Sequence, residues 1–139
     1  MIKLETDDNL NAANHCQKAG LFLELNEYEK ALESFNRAIE LHPTNDTFYD
    51  KKASFLDSMG SVEQIQEASE CLSKAIKLKP EPIYSFNKAN CLIKLKKLDE
   101  ALKCLDNSLK INPIFAKNIA KKAYIYKLLN KKEEAVILG

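Results

Sequence analysis

The side chains best suited to metal or nucleophilic chemistry are His15 and His42 with Cys16, Cys71, Cys91 and Cys104. Neither histidine belongs to a His-x3-His or His-Glu-x2-His pattern, and no two cysteines have the short spacing of a zinc site. His15 and Cys16 are adjacent, but neighbours on a helix point about 100° apart and do not chelate together. The thiols read as core or groove residues, kept reduced in a chain without a secretory signal. Three glycines, at 20, 60 and 139, cannot build a phosphate-cradling loop. Asp99-Glu100 and Glu133-Glu134 sit where helices should begin, so they complement the helix dipole rather than form an acid–base pair. Asn45-Asp46-Thr47 has the form of a glycosylation triplet and reads as a turn and helix start. No catalytic group, metal or cofactor is expected.

What remains is ammonium, carboxylate and amide chemistry, unevenly distributed. The 139 residues carry a net charge of +1. Residues 1–70 hold six basic and fourteen acidic side chains, a net of −8, and residues 71–139 hold fifteen and six, a net of +9. The plain reading is oppositely charged solvated faces; the sharper one is two ends that meet different partners, or each other in a salt-dependent head-to-tail self-association. Arg37 is the single arginine against twenty lysines. Arginine is the usual residue for bidentate phosphate and base-edge recognition, so nucleic acid is not an expected partner. No run of 18 apolar residues is present, so no membrane span is expected. The first eight residues are too acidic for a signal peptide, so an intracellular, cytoplasmic location is expected.

Such side chains need elements to position them, and the chain is periodic. Ala19, Ala31, Ala38 and Pro43 recur as Ala89, Ala101, Ser108 and Pro113, with spacings of 12, 7 and 5 residues in both. Ala53, Ala68, Ala75 and Pro80 repeat the series at 15, 7 and 5, and Ala123 with Ala135 begins it again. Between these marks the apolar residues follow a helical period, as in Leu32, Phe35, Ala38 and Ile39. Hydrophobic residues make up 45% of the chain, enough for a core, while few glycines and prolines argue against an all-β fold.

This phased set resembles the tetratricopeptide repeat (TPR), a helix–turn–helix unit with an Ala-x3-Phe element and a closing proline. The resemblance implies an all-α, right-handed superhelix of antiparallel helix pairs: a leader at 1–11, repeats at 12–45, 46–81 and 82–115, and a partial fourth at 116–139. The alanines mark close helix crossings. Phe22, Leu56, Leu92 and Tyr126 fill a bulky slot on each first helix, and Phe35, Leu72 and Leu105 one on the second. The early aromatic slot departs from the pattern, holding His15, Tyr49, Ser85 and Ile119, and the usual leucine slot holds Lys18, Lys52, Lys88 and Lys122. Repeat two has three extra residues around Ser58–Gln64, expected to lengthen the turn between its helices. Gly60 suits a left-handed stop there, Ser61 and Gln64 have capping-box spacing, and Asn26 and Asn130 suit the same stop in repeats one and four. Residues 1–11 read as a loose leader. Val136–Gly139 is an apolar run inside an expected second helix, the mark of a longer array or of an edge covered by a partner.

The resemblance further implies a non-catalytic protein–protein interaction module whose first helices line a concave groove for an extended or helical segment of a partner. The groove positions run from Cys16, Gln17, Gly20 and Leu23 through Asp50, Lys51, Ser54 and Asp57 to Phe86. The expected peptide-binding residues are Asn87, Asn90, Lys94, Lys117, Lys121 and Tyr124: amides for a backbone, ammonium groups for an acidic segment. Two alternatives stand beside this. One is an architectural subunit that uses its convex face or C-terminal edge. The other is a degenerate carboxylate clamp of the co-chaperone kind, in which Asn87, Lys117 and Lys121 match the pattern while Asp50 and Ser54 do not.

Overall fold

A computed structural model describes the backbone of residues 2–138 and the side chains of 10–132. Seven helices follow one another: α1 (Ile2–Glu24), α2 (Tyr28–Leu41), α3 (Asp46–Met59), α4 (Val62–Leu78), α5 (Pro82–Lys94), α6 (Leu98–Ile111) and α7 (Ala116–Leu138). The described residues contain no strand. No helix among them is long and apolar enough to cross a membrane. Helices pack in the pairs α1–α2, α3–α4 and α5–α6, and α7 lies against α5 and α6. This is an all-α helical-repeat solenoid.

The alanine slots hold each pair together. Ala19, Ala31, Ala89 and Ala101 have no exposed surface and Ala53 has 2%. A methyl at the crossing lets the backbones approach, and the bulky slots fill the space on either side. Leu56, Leu92, Phe35, Leu72 and Leu105 are all buried there. Ser108 replaces the alanine of its slot and uses its hydroxyl: it accepts a 3.0 Å hydrogen bond from Asn118 Nδ2. Asn118 is fully buried on α7, and its amide also donates to the Pro82 carbonyl. That bond ties α7 to the pair before it.

The turns follow from backbone chemistry. Asn26 and Lys96 take left-handed φ of 60° and 62°, and Gly60 takes 85°. In two of these turns the amide after the left-handed residue reaches back to the final helical turn, Glu27 to Phe22 and Lys97 to Leu92, each at 2.8 Å. The helices α2, α4 and α6 stop two residues before Pro43, Pro80 and Pro113. Their cap residues His42, Lys79 and Asn112 swing to φ of −143°, −152° and −133°, because the proline that directly follows each one disfavours the helical conformation there. Pro82 instead starts α5, where its missing N–H is not needed. The Asn45 side chain accepts from the Thr47 amide at 3.0 Å and opens α3.

Four expectations change. The extra residues of repeat two do not lengthen the turn, which consists of Gly60 and Ser61 alone. They extend α4 to 17 residues against 14 for α2 and α6, and Ser61 caps the longer helix by accepting from the Gln64 amide at 3.2 Å. Asn130 is not a helix stop, for α7 runs through it. The left-handed stop is unfavourable alone and needs a docked second helix, as α2 docks after Asn26; Lys131 and Lys132 simply continue the helix. For the same reason Tyr126 is 53% exposed where Leu56 and Leu92 are buried. The leader is continuous with α1, which begins at Ile2. The expected apolar end at Val136–Gly139 lies outside the described side chains.

Two substitutions test this packing. Ala101→Leu overfills a closed crossing and should lower unfolding stability by about 1–3 kcal/mol. Ala123→Leu, at the equivalent but exposed slot, should stay within about 0.5 kcal/mol. Urea unfolding of the two variants measures the contrast. Lys96→Gly relieves a left-handed side chain, which costs about 1–2 kcal/mol, against about 0.5–1 kcal/mol of added chain freedom. The same titration should show a modest net gain.

Candidate functional site

The helices α1, α3, α5 and α7 are the first members of successive pairs, and polar contacts join α3 to α5 directly. Asn87 donates to Asp50 Oδ1 at 3.2 Å, and the Lys94 ammonium sits 2.8 and 2.9 Å from the two oxygens of Asp57. One turn nearer the start of both helices, the Tyr84 hydroxyl donates to the Asp46 carboxylate. These three bridges run down one face, and a small pocket of about 120 Å³ opens between them, lined by Asp50, Ser54, Asp57, Asn87 and Asn90 together with the apolar Ala53, Leu72 and Cys91.

Electrostatics on this face are set mainly by partial burial. Asp50 is half-buried, and loss of water raises its pKa above the ordinary carboxylate value. The neighbouring Asp46 adds to the rise, while the bond from Asn87 and the charge of Lys51 oppose it. Tyr84 is pushed up to about 12, first by burial and then by the Asp46 carboxylate its hydroxyl faces. Asp57 has a cation of its own in Lys94, whereas Asp50 makes no ion pair among the described residues.

Between α5 and α7 the chemistry reverses. The ammonium groups of Lys117 and Lys121 lie 5.6 and 5.1 Å from the centre of the Phe86 ring, and Lys121 is also 5.1 Å from the Tyr124 ring. Each contact is an attraction between a cation and the face of an aromatic ring. Neither lysine forms an ion pair among the described residues. At the other end, between α1 and α3, a mainly apolar cup of about 410 Å³ is lined by Gly20, Leu23, Phe35 and Phe55, with Lys51 and Ser54 also at its surface.

The six residues singled out from the sequence therefore fall into two groups. Asn87, Asn90 and Lys94 belong to the α3–α5 face, where Asn87 and Lys94 are engaged by Asp50 and Asp57. Lys117, Lys121 and Tyr124 gather with Phe86 on the α5–α7 face. Sequence reasoning had placed Asp50, Asp57 and Phe86 at groove positions without their contacts. It missed Asn118 altogether; a lone asparagine on an amphipathic helix carries no signal until its partner Ser108 is known.

The thiols are suited to structure rather than reaction. Cys16, Cys71 and Cys91 are buried and Cys104 partly so, all four free. Burial raises every one of their pKa values, that of Cys91 to about 11, so the nucleophilic thiolate is disfavoured at each. Among the described residues no three His, Cys, Asp or Glu side chains gather closely enough to hold a metal ion.

A family model described as the tetratricopeptide repeat matches residues 12–45 and 84–115. Solved structures with a similar fold include the first TPR domain of Spaghetti (RPAP3) bound to an HSP90 peptide, SRMEEVD. That domain is 17% identical, with a TM-score of 0.73, and the match covers 88% of this chain and 95% of that one. The N-terminal domain of stress-induced protein-1 (STI-1) from C. elegans is 20% identical, with a TM-score of 0.75, over 86% and 97%. MamA is 19% identical, with a TM-score of 0.74, over 96% of this chain and 76% of that one. At these identities the likeness shows the fold alone. No curated protein matches the sequence.

The raised Asp50 has a pH signature. A carboxyl whose folded pKa lies above its unfolded value binds its proton more tightly when folded. Its contribution therefore worsens as pH rises through those values and is neutral below both. Asp50→Asn removes that penalty. The stability of Asp50→Asn relative to the parent should thus be higher at pH 7 than at pH 3, as urea titrations at the two pH values can measure.

Proposed function

We propose that this chain, a tetratricopeptide-repeat protein, is a non-catalytic interaction module that takes a segment of a partner protein along the face formed by α1, α3, α5 and α7. The observation that carries the reading is the pair Lys117 and Lys121. Two ammonium groups converge on one aromatic ring, and among the described residues no carboxylate is paired to either. Like charges held together in a groove disfavour the empty state and favour an anion, and Phe86 and Tyr124 give that anion's neighbours an apolar surface. A peptide segment with acidic side chains meets both demands. The Spaghetti domain of similar fold is described with such a peptide, SRMEEVD, in which three of seven residues are acidic.

The co-chaperone form of this reading has less support. A clamp would use Asn87 to hold an incoming carboxylate, and here Asn87 already donates to Asp50. The Asp50 charge would repel a second carboxylate at that point. The architectural reading is favoured by a different observation. On α7, Ile119, Ala123 and Tyr126 are exposed, whereas the equivalent Tyr49, Ala53 and Leu56 of α3 are buried under α4. That face of α7 has the shape of a helix-docking seam, and crosslinking in cell extracts distinguishes contacts there from contacts in the groove.

The groove reading is tested by fluorescence anisotropy with short acidic peptides. Binding in the micromolar range, about 8 kcal/mol, is expected. It should weaken as salt screens the lysines, and Lys117→Ala with Lys121→Ala should abolish it. No salt-sensitive binding across a library of acidic peptides would reject the reading.

A further inference from the structure

The three zones of the face differ in chemistry and lie in a fixed order: apolar between α1 and α3, anionic between α3 and α5, cationic between α5 and α7. They are contiguous. Ser54 lines both the apolar cup and the Asp50 pocket. Asn87 and Phe86, which face the second and third zones, are neighbours on α5. We propose that this order selects a partner segment of matching order. An apolar side chain enters the cup, a lysine or arginine tip enters the Asp50 pocket, and an acidic side chain lies between Lys117 and Lys121. The proposal rests on the groove reading above and adds to it the polarity of the ligand.

Charge complementarity carries the middle position. Asp50 is a half-buried carboxylate whose described donor is a neutral amide, Asn87, at 3.2 Å. A carboxylate has about four acceptor sites, so that bond leaves capacity for a cation. The cations nearby do not supply one. Lys94 is held by both oxygens of Asp57, and Lys51 makes no ion pair among the described residues. An ammonium or guanidinium from a partner would satisfy Asp50 and replace the water lost on burial. The pocket, about 120 Å³, has room for the tip of a lysine or arginine side chain. The rims of the pocket, Ser54 and Asn90, offer a hydroxyl and an amide to the same group.

The flanking zones set the frame. The α1–α3 cup is about 410 Å³ and lined mainly by apolar carbon, suited to a leucine- or phenylalanine-sized side chain. The space above Gly20 is open, for a Cβ built there meets nothing within 4 Å. From the Asp50 pocket to the Lys117–Lys121 pair is one helix step across α5. Packed helices lie about 8–10 Å apart, and an extended polyproline-like segment rises about 3.1 Å per residue with three residues per turn. Side chains three apart therefore face the same way at the required distance. The matching segment places its apolar, basic and acidic residues at about three-residue intervals.

Four capped peptides of one composition test the order by anisotropy with the full chain. Two carry Leu-x2-Lys-x2-Glu and its reversal, since the direction of the partner chain is free. Two carry Leu-x2-Glu-x2-Lys and its reversal. The better of the first pair should bind about tenfold more tightly than the better of the second. Asp50→Asn should reduce that preference to below about threefold. Gly20→Leu should fill the cup and weaken the first pair, while a helical spectrum and urea midpoint at least equal to the parent's show that the fold is intact. Equal binding by the two pairs, or a preference untouched by Asp50→Asn, overturns the ordered reading and leaves the groove reading standing. Binding by none of the four, with Lys117→Ala and Lys121→Ala indistinguishable from the parent against the acidic library, overturns both.

Discussion

Two helices can cross closely only where neither carries more than a methyl group at the crossing. Ala19 with Ala31, Ala53 with Ala68, and Ala89 with Ala101 meet that condition, and each is at most 2% exposed. Everything else in the molecule follows from these contacts. Close crossing lets Phe35, Leu72 and Leu105 of the second helices reach the core, and no pair buries its apolar surface without its neighbours. The pairs then stack with their first helices side by side, which puts Asp50 within reach of Asn87 and Asp57 within reach of Lys94. The polar face is thus a consequence of the small residues on the opposite side of the same helices.

The face divides its charges unevenly. Asp46 is bridged by Tyr84 and Asp57 by Lys94, so two of three aspartates on α3 contribute to the packing of α3 on α5. Asp50 on one side of α5 and the two lysines on the other have no ionic partner among the described residues. The opposite net charges of the two halves of the chain place the aspartates on α3 and the lysines on α7. The contrast within the groove is therefore the local form of a charge polarity spread over the whole sequence.

Much of this was legible in the residues. The alanine phase located the pairs α1–α2, α3–α4 and α5–α6, the prolines located the ends of the second helices, and Gly60 and Asn26 located two turns; the second helix expected to begin near Ala135 does not separate, since α7 is continuous. These features are local or strictly periodic, so a one-dimensional reading suffices. The same phase named Asn87, Asn90, Lys94, Lys117, Lys121 and Tyr124 as expected groove residues, and the structure places them in two groups on either side of α5. What the sequence could not express was pairing between helices some 36 residues apart. Lys94 reads as an available cation until Asp57 is seen to hold it, and Asn118 reads as a surface amide until Ser108 is seen to receive it. The fate of the three extra residues was also hidden. Gly60 and Ser61 signal a stop and a start, and only the backbone shows that they are the whole turn and that α4 begins early. At Asn130 the local signal was misleading, because a left-handed stop depends on a second helix to dock against it.

The central claim is that the face formed by α1, α3, α5 and α7, and not the outer face, receives another polypeptide. Amide chemical-shift mapping with an acidic peptide measures this most directly. The account predicts shifts at the Asn87 and Asn90 side-chain amides and along the backbone of Lys117–Tyr124, with α2, α4 and α6 unmoved. Shifts confined to α2, α4 and α6, with the Asn87 and Asn90 amides unmoved at saturation, would contradict it.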